Sequence, residues 1–170
     1  LYKKYDGHIV RPGDDDLTEA DHDLLNESKR LREEIEEALE NGSTRDAYTK
    51  FTELSTKGNQ YIHAEEPWHV IKEDEKRAQH ILYLCANHAR SLAIAGAPFM
   101  PKTAQRIWEI LKLDGTPDDG GRWDEIGHLN LGEKHTINKP YLLFHKVEEE
   151  EVTRRREELA ELSALEEWFT

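Results

Sequence analysis

The sequence has a single cysteine, no long apolar run and no targeting pattern at its amino terminus, and each absence excludes a class of protein. Cys85 is the only cysteine among 170 residues, so an intrachain disulfide is impossible and a reducing compartment is favoured. No stretch of about 18 apolar residues exists, which excludes a transmembrane helix. The chain does not open with a basic-then-apolar signal segment. We therefore expect a cytoplasmic protein with no membrane partner.

Positive charge is also scarce. Lysine and arginine number 23 against 36 aspartate and glutamate residues, which gives a formal net charge of −13. Because neutralising phosphates requires lysine and arginine, this balance argues against non-specific nucleic-acid binding, although a local basic strip within an acidic whole would still accept RNA. Such an acidic surface favours solubility, or else indicates a high-salt cytoplasm that screens the repulsion.

Metal-site motifs are missing as well. The nine histidines include no His-Glu-x-x-His helix, and one cysteine cannot supply a Cys pair. We predict that this chain holds no metal and no cofactor. Cys85 falls on a predicted buried helical stripe, so we expect its thiol to be inert.

Helical periodicity is what the sequence contains in quantity. Apolar residues recur at helical spacing in several segments, which are separated by Asn-Gly and by a Pro-rich break. The pattern dissolves after residue 113 and resumes in a charged carboxy-terminal segment. We predict an all-α fold, an antiparallel helical bundle with helices of about 14 to 25 residues and a partly irregular segment before a C-terminal helix. The predicted helices cover about 21–40, 44–64, 72–98, a segment from 101 onward, and 150–168.

The domain organisation follows from the same break in the pattern. Residues 1–113 are predicted to form the bundle core. Residues 114–170 would supply the irregular segment and a C-terminal helix that packs on the bundle within the same domain. The chain opens with Leu1 inside a helical pattern rather than with methionine, so we expect a fragment of a longer protein.

Three local features make sharper predictions. Ser43 with Asp46 three residues later resembles a capping box at a helix start. Gly58, inside a predicted helix, predicts the close approach of another backbone at a cost of about 1 kcal/mol relative to alanine. Residues 8–16, which contain a Pro-Gly pair, are predicted to be a linker.

The most informative stretch joins the end of one predicted helix to a proline turn, and it reads Asn59-Gln-Tyr-Ile-His-Ala-Glu-Glu-Pro-Trp68. Because a residue before proline avoids the helical region, the helix should stop at about Glu65 or Glu66. Pro67 should then present Trp68 at a rigid corner. An aromatic residue there is either a core anchor or a platform for the flat face of a ligand, and ordinary burial tendencies favour the anchor.

This stretch resembles the anticodon-binding domain of methionyl-tRNA synthetases, which are class I aminoacyl-tRNA synthetases. The family carries an Asn-x-Tyr helix end before a Pro-Trp corner, a Pro-x-x-Pro break before a helix that ends in an aromatic, and a Leu-Phe-x-Lys-Ile-Glu tail. The Pro-x-x-Pro element is shared with the synthetases for isoleucine, valine and leucine, whereas the corner and the tail favour methionine. The resemblance covers roughly residues 1–151, and the matching residues are Asn59, Tyr61, Pro67, Trp68, Pro98, Pro101, Trp108 and Leu143 to Glu148.

For one residue of the corner the resemblance implies a role. It implies that Trp68 stacks on an anticodon base of a methionine-accepting tRNA, as RNA readers commonly do with splayed loop bases. Asn59 and Tyr61 would hydrogen-bond a base edge or support Trp68. His63 and His69 flank the corner and would either donate to a phosphate, especially when protonated, or be surface histidines without a role, which is the commoner case.

The resemblance also implies partners outside this chain. The class I catalytic signatures, of the His-x-Gly-His and Lys-Met-Ser-Lys-Ser types, are absent from the sequence. We therefore expect this chain to be inactive alone and to work with its own upstream catalytic domain, a methionine-tRNA ligase that uses ATP and magnesium. An asparagine and an arginine that also read anticodon bases in the family would lie before Leu1.

A second class of function also fits the composition, namely a helical protein-interaction module with no RNA role. It would dock a partner through its acidic faces and the helix at 150–168, and it predicts an exposed apolar stripe on that helix and a buried Trp68. The three arginines at 154–156 follow four glutamates at 148–151, which predicts intrahelical ion pairs at i to i+4, with phosphate binding as the alternative. Composition leaves the oligomeric state open.

Overall fold

The computed structural model describes residues 2–144 and 146–166, with side chains described for residues 4–144 and 146–160. The chain divides after Pro140 into two compact units. The predicted all-α class is confirmed, because helices dominate both units. In order, the elements are α1 (Tyr2–Tyr5), β1 (His8–Val10), α2 (Glu19–Glu40), α3 (Thr44–Glu65), α4 (Pro67–Val70), α5 (Glu75–Gly96), α6 (Pro101–Ile110), β2 (Lys134–Thr136) and, in the second unit, α7 (Glu149–Glu166).

Helix α5 is the centre of the first unit. It contacts α2, α3, α4, α6 and β1. Its buried positions alternate large side chains such as Tyr83 and Leu84 with small ones such as Ala78 and Ala93. Small side chains let neighbouring helices approach closely, so a helix of this composition can be buried on most sides, as its sequence predicted.

Residues 8–16 are not a plain linker, and this prediction was wrong. Strand β1 pairs antiparallel with β2, with His8 opposite Thr136 and Ile9 opposite His135. The side chain of Ile9 is buried. His8 and Thr136 lie 128 positions apart in the sequence, and strands of three residues are too short to show a period of two.

One helix start, one helix cap and one helix length also differ from prediction. Helix α5 begins at Glu75 rather than at 72, because the Asp74 carboxylate caps it by accepting a hydrogen bond from the Arg77 N–H at 2.9 Å. The capping box predicted at Ser43 does not form. The Ser43 hydroxyl donates instead to the Asp46 carboxylate at 2.6 Å, because the short aspartate side chain reaches the hydroxyl. Helix α6, with ten residues, is shorter than the predicted range.

Gly58 makes room for a side chain rather than for a backbone. A Cβ atom at this position would lie 2.4 Å from Cδ2 and 2.5 Å from Nε2 of His88. The imidazole is buried, with Nε2 3.1 Å from the Leu54 carbonyl oxygen and Nδ1 3.3 Å from the Ser28 hydroxyl oxygen. The predicted close approach is present, but the approaching group is an aromatic ring.

Helix α7 of the second unit shows the predicted intrahelical ion pairs. Glu151 accepts hydrogen bonds from Nε of Arg154 at 3.1 Å and from Nε of Arg155 at 2.9 Å. Val152 and Leu159 are exposed, whereas Trp168 lies outside the described residues. The packing of this helix on the bundle stays a prediction.

Candidate functional site

The corner after α3 has the rigid backbone that the proline rule predicts. The helix ends at Glu65, and Glu66 takes left-handed backbone angles, φ 39° and ψ 57°. The Glu66 N–H donates to the carbonyl of Ile62 at 3.1 Å, which closes the last turn. Pro67 is buried and starts α4 at a position where its missing N–H costs nothing. The direction of the next residue is therefore set by the backbone.

Trp68 projects from this corner into solvent. Trp68 is 40% exposed. The imidazole rings of His63 and His69 both meet the indole edge-on, each with a centroid separation of 6.2 Å. Nδ1 of His69 lies 3.5 Å from a Glu66 carboxylate oxygen. These contacts limit the rotation of the indole, and its exposure fits a platform rather than a core anchor.

A buried ionic cluster beneath the corner joins three helices. Asp21 of α2 accepts hydrogen bonds from the Tyr61 hydroxyl at 2.5 Å and from the Arg77 guanidinium at 2.6 and 2.9 Å. Arg77 also donates to Glu65, the last residue of α3, at 2.5 Å. The Asp21 side chain further accepts from the Thr18 N–H at 2.9 Å and thereby caps α2. The cluster thus holds the starts of α2 and α5 against the end of α3.

The pKa shifts of Asp21 and Tyr61 agree with this hydrogen-bond geometry. Burial by itself raises the pKa of Asp21, but hydrogen bonds from Arg77, Tyr61 and the Thr18 backbone outweigh it and leave that pKa below the ordinary value. Burial and the bond to the carboxylate raise the pKa of Tyr61 far above its ordinary value. Asp21 is therefore ionised and Tyr61 neutral at physiological pH.

The predicted site residues separate into two groups. Asn59 and His63 lie one turn apart on α3 and are exposed, as are Trp68 and His69. Tyr61 is buried, with its hydroxyl given to the cluster, so of its two predicted roles the structure favours support of the corner. Asn59 also lines a cavity of about 180 Å³ between α3 and α5.

Sequence reasoning missed Asp21 and Arg77. Asp21 shares one buried stripe of α2 with Leu24, Leu31 and Ile35. A carboxylate at the start of an apolar stripe is a signal that could have indicated a buried ion pair. The identity of its partner, from a helix more than fifty positions away, had no such signal.

The described residues contain no group of three or more side chains that could hold a metal ion, and no described helix has the length and hydropathy to cross a membrane.

Burial raises the pKa of the Cys85 thiol to about 12. A thiol in that state carries almost no thiolate at neutral pH, which agrees with the predicted inertness.

Comparison with known proteins identifies the family of the chain. The family model for the anticodon-binding domain of methionyl-tRNA ligase matches residues 11–163. The chain belongs to this family. The resemblance inferred from Asn59 to Trp68 is thereby confirmed for nearly the whole chain.

Relatives of this methionyl-tRNA ligase domain come from bacteria and archaea. Methionine–tRNA ligase of Christiangramia forsetii is 35% identical over 161 residues, a match that covers 92% of this chain and 23% of that protein. The ligase of Methanopyrus kandleri is 31% identical over 163 residues, covering 96% of this chain and 23% of that protein. The chain therefore spans about a quarter of the length of the curated relatives it matches.

Solved structures show the same fold for the domain. The free-state methionyl-tRNA synthetase of Mycobacterium tuberculosis superposes with a TM-score of 0.71 at 20% sequence identity. The match covers 86% of this chain and 29% of that chain. The methionyl-adenylate complex of the same synthetase gives a TM-score of 0.70 at 21% identity, with 85% of this chain and 28% of that chain covered.

Proposed function

We propose that this chain binds the anticodon loop of a methionine-accepting tRNA through Trp68. The observation that carries the proposal is the exposed indole at a backbone-fixed corner in a chain of this family. Stacking of a base on an aromatic ring contributes about 1–3 kcal/mol and needs only an open ring face. A platform that is already ordered also loses little conformational entropy when the base arrives.

The residues next to Trp68 would make the other contacts with the tRNA or support the indole. Asn59, exposed on α3, would hydrogen-bond a base edge with its amide. His63 and His69 would hold the indole through their edge-on contacts and donate to a phosphate of the bound loop. Tyr61 would act only through the buried cluster beneath the corner.

A chain with a net charge of −13 has few lysines and arginines to neutralise phosphates, so its affinity for RNA should depend on salt differently from that of a basic RNA-binding protein. Affinity that comes from stacking and base-edge contacts releases few counterions, whereas phosphate neutralisation releases about one for each contact. We therefore expect the affinity for the anticodon loop to fall only weakly as salt is raised.

In the longer protein, this domain would position the tRNA for ATP-dependent ligation of methionine by a separate catalytic domain. ATP and magnesium would act at that domain, since the sequence of this chain lacks its signatures. Such a ligase would work in the cytoplasm, in agreement with a chain whose single cysteine cannot form an intrachain disulfide.

The alternative of a protein-interaction module requires a buried Trp68. The exposed indole does not meet that requirement, although Val152 and Leu159 on α7 are exposed as that alternative expects. Membership of the anticodon-binding family favours the RNA role further.

The test is a titration of an anticodon stem-loop with the anticodon CAU against Trp68→Ala, Trp68→Phe and Tyr48→Ala. Tyr48 is an exposed aromatic residue elsewhere on α3, 46% exposed, and serves as the matched control. We expect Trp68→Ala to weaken binding by about 10- to 100-fold and Trp68→Phe by less, because a smaller ring still stacks.

In the full-length ligase the two Trp68 substitutions should lower kcat/KM for tRNA by similar factors, whereas Tyr48→Ala should not, and all three should leave the activation of methionine unchanged. Unaltered affinity and unaltered kcat/KM in a folded Trp68→Ala protein would exclude the stacking role.

A further inference from the structure

A second cavity lies far from the Trp68 corner, toward the other end of α5. It has a volume of about 690 Å³ and is bounded by α5, α6 and the segment that follows α6. Its inner wall carries Arg90, Trp108, Arg122 and Glu125. Arg90 lies about 22 Å along α5 from the start of that helix, at 1.5 Å per residue. The cavity therefore belongs to a different part of the surface from the proposed anticodon site.

Buried hydrogen-bond donors in this cavity lack partners among the described residues. Arg90 is only 4% exposed, and its Nη1 atom has no hydrogen-bond partner there, while Nη2 pairs with the Glu125 carboxylate. Nε of Arg122 is likewise buried without a partner, and Nη2 of that residue reaches the Asp119 carboxylate only at 3.5 Å. The Oε2 atom of Glu125 is also buried without a hydrogen-bond partner among the described residues. Most buried polar groups in proteins are satisfied, so the open donors on the two guanidinium groups leave a place for a further acceptor beside this carboxylate.

Both guanidinium groups contact the same indole. The Cζ atoms of Arg90 and Arg122 lie 5.3 and 5.0 Å from the ring centroid of Trp108. The indole is itself fixed, because its Nε1–H donates to the carbonyl of Asp114 at 3.0 Å. Both cations therefore occupy set positions on a rigid ring.

The cavity lining holds three arginines and three carboxylates, and positive charge predominates only among its less exposed residues. Two arginines face the single carboxylate of Glu125, while the acidic residues Asp114 and Glu133 are exposed at the mouth together with Arg11. Burial and the neighbouring charge of Arg122 lower the pKa of Arg90 to about 10. Both effects disfavour the charged form of Arg90, and the attraction of a bound anion would offset them.

We propose that this cavity binds a phosphate-type oxyanion between Arg90 and Arg122. A guanidinium presents its donors in a fork that matches phosphate oxygens, and buried pairs of this kind are strong because water is excluded. The cavity is larger than one oxyanion, so it also has room for hydrating water or for the rest of a phosphate-bearing molecule. The phosphate is either free in solution or part of an RNA backbone, and the site does not depend on the anticodon proposal.

The experiment uses inorganic phosphate as the probe. The ³¹P line width and the unfolding temperature are measured with increasing phosphate, against sodium chloride of matched ionic strength. The wild-type chain is compared with Arg122→Gln and with Arg106→Gln, an exposed arginine of α6 that lies outside the cavity. We expect broadening and stabilisation in the wild type and in Arg106→Gln, and at least about tenfold weaker binding in Arg122→Gln.

Arg122 is chosen because its side chain is 24% exposed, so the variant should fold. Arg90→Lys is a second variant that keeps a charge but loses the fork, and we expect it to weaken phosphate binding as well. Equal phosphate responses in the wild type, Arg122→Gln and Arg90→Lys would overturn the proposal.

A second arm, with a short oligouridylate, identifies the source of the phosphate. Weaker oligouridylate binding in Arg122→Gln than in Arg106→Gln indicates an RNA backbone, whereas a phosphate response without that difference indicates a free anion. Absence of both responses refutes the site. Because Trp68 remains intact throughout, the anticodon proposal is neither tested nor needed in this experiment.

Discussion

Removing the Arg77 guanidinium tests what holds the Trp68 corner in place. Arg77 donates to Asp21 at 2.6 and 2.9 Å and to Glu65 at 2.5 Å. Asp21 has no exposed surface. The substitution Arg77→Met keeps most of the side-chain volume but leaves the Asp21 carboxylate with only the Tyr61 hydroxyl and the Thr18 N–H as donors.

The expected loss follows from the burial of the remaining charge. Breaking a buried ion pair by removing one partner costs about 3–5 kcal/mol. Asp21 keeps two donors and the Arg77 side chain is 16% exposed, so we expect the lower end, about 3 kcal/mol. With an m value of about 2 kcal/mol/M, the urea midpoint should fall by about 1.5 M.

The pH dependence of the free energy of unfolding tests the same prediction independently. In the wild type the pKa of Asp21 is lowered on folding. Its contribution to stability is therefore present above the unfolded-state pKa and is lost as pH falls through the folded-state pKa. In Arg77→Met, burial acts without the counter-charge and raises that pKa above the unfolded value. The penalty in the variant should then shrink as pH falls through the raised pKa.

The assay is urea unfolding followed by circular dichroism at pH 7 and pH 5. Arg45→Met, a substitution at an exposed arginine of α3, is the matched control and should change stability by less than about 0.5 kcal/mol. The gap between Arg77→Met and wild type should be smaller at pH 5. A loss below about 1 kcal/mol, or a gap that is the same at both pH values, would refute the assigned role of the cluster.

Three further substitutions test the packing of the bundle. Gly58→Ala should lower stability by about 1–3 kcal/mol in thermal unfolding, since its Cβ would lie 2.4 Å from the His88 ring, whereas Gly120→Ala meets nothing within 4 Å and should be nearly neutral. Burial lowers the pKa of His88 to about 4, so up to about 3 kcal/mol of stability should be present above the unfolded-state pKa of about 6.5 and disappear toward pH 4. His88→Gln should flatten that pH profile, and an unchanged profile would contradict the assignment. Asn87→Leu should cost about 2–4 kcal/mol in urea unfolding, because the Asn87 amide oxygen accepts the N–H of Leu131 at 3.2 Å and that donor would be left buried and unpaired; a loss under 1 kcal/mol would count against it.

Local rules accounted for the helices. The predicted ranges 21–40 and 44–64 differ by at most two residues from α2 (Glu19–Glu40) and α3 (Thr44–Glu65). Helical periodicity and the Asn-Gly stop depend only on neighbours in the chain, so they can be recognised in the sequence. The position of the corner at Pro67 has the same origin, since a proline restricts the residue directly before it.

The strand pair and the buried cluster depended on contacts between distant parts of the chain. Ile9 opposes His135 in the sheet, and neither short segment carries a pattern of its own. Asp21 and Arg77 are each ordinary charged residues on an amphipathic helix until the bundle brings them to 2.6 Å. No spacing rule connects groups so far apart, because their distance is a product of helix packing.

The sequence by itself determined the bounds of α2 and α3 to within two residues, that a tryptophan follows a proline corner, and that the chain resembles a tRNA-reading domain. Only the tertiary structure decided that Trp68 lies in solvent while Tyr61, seven positions earlier, lies in the core. The physical reason is that burial depends on what packs against a side chain. At Tyr61 that neighbour is α2 with its carboxylate, whereas at Trp68 two edge-on histidines leave much of the indole in water.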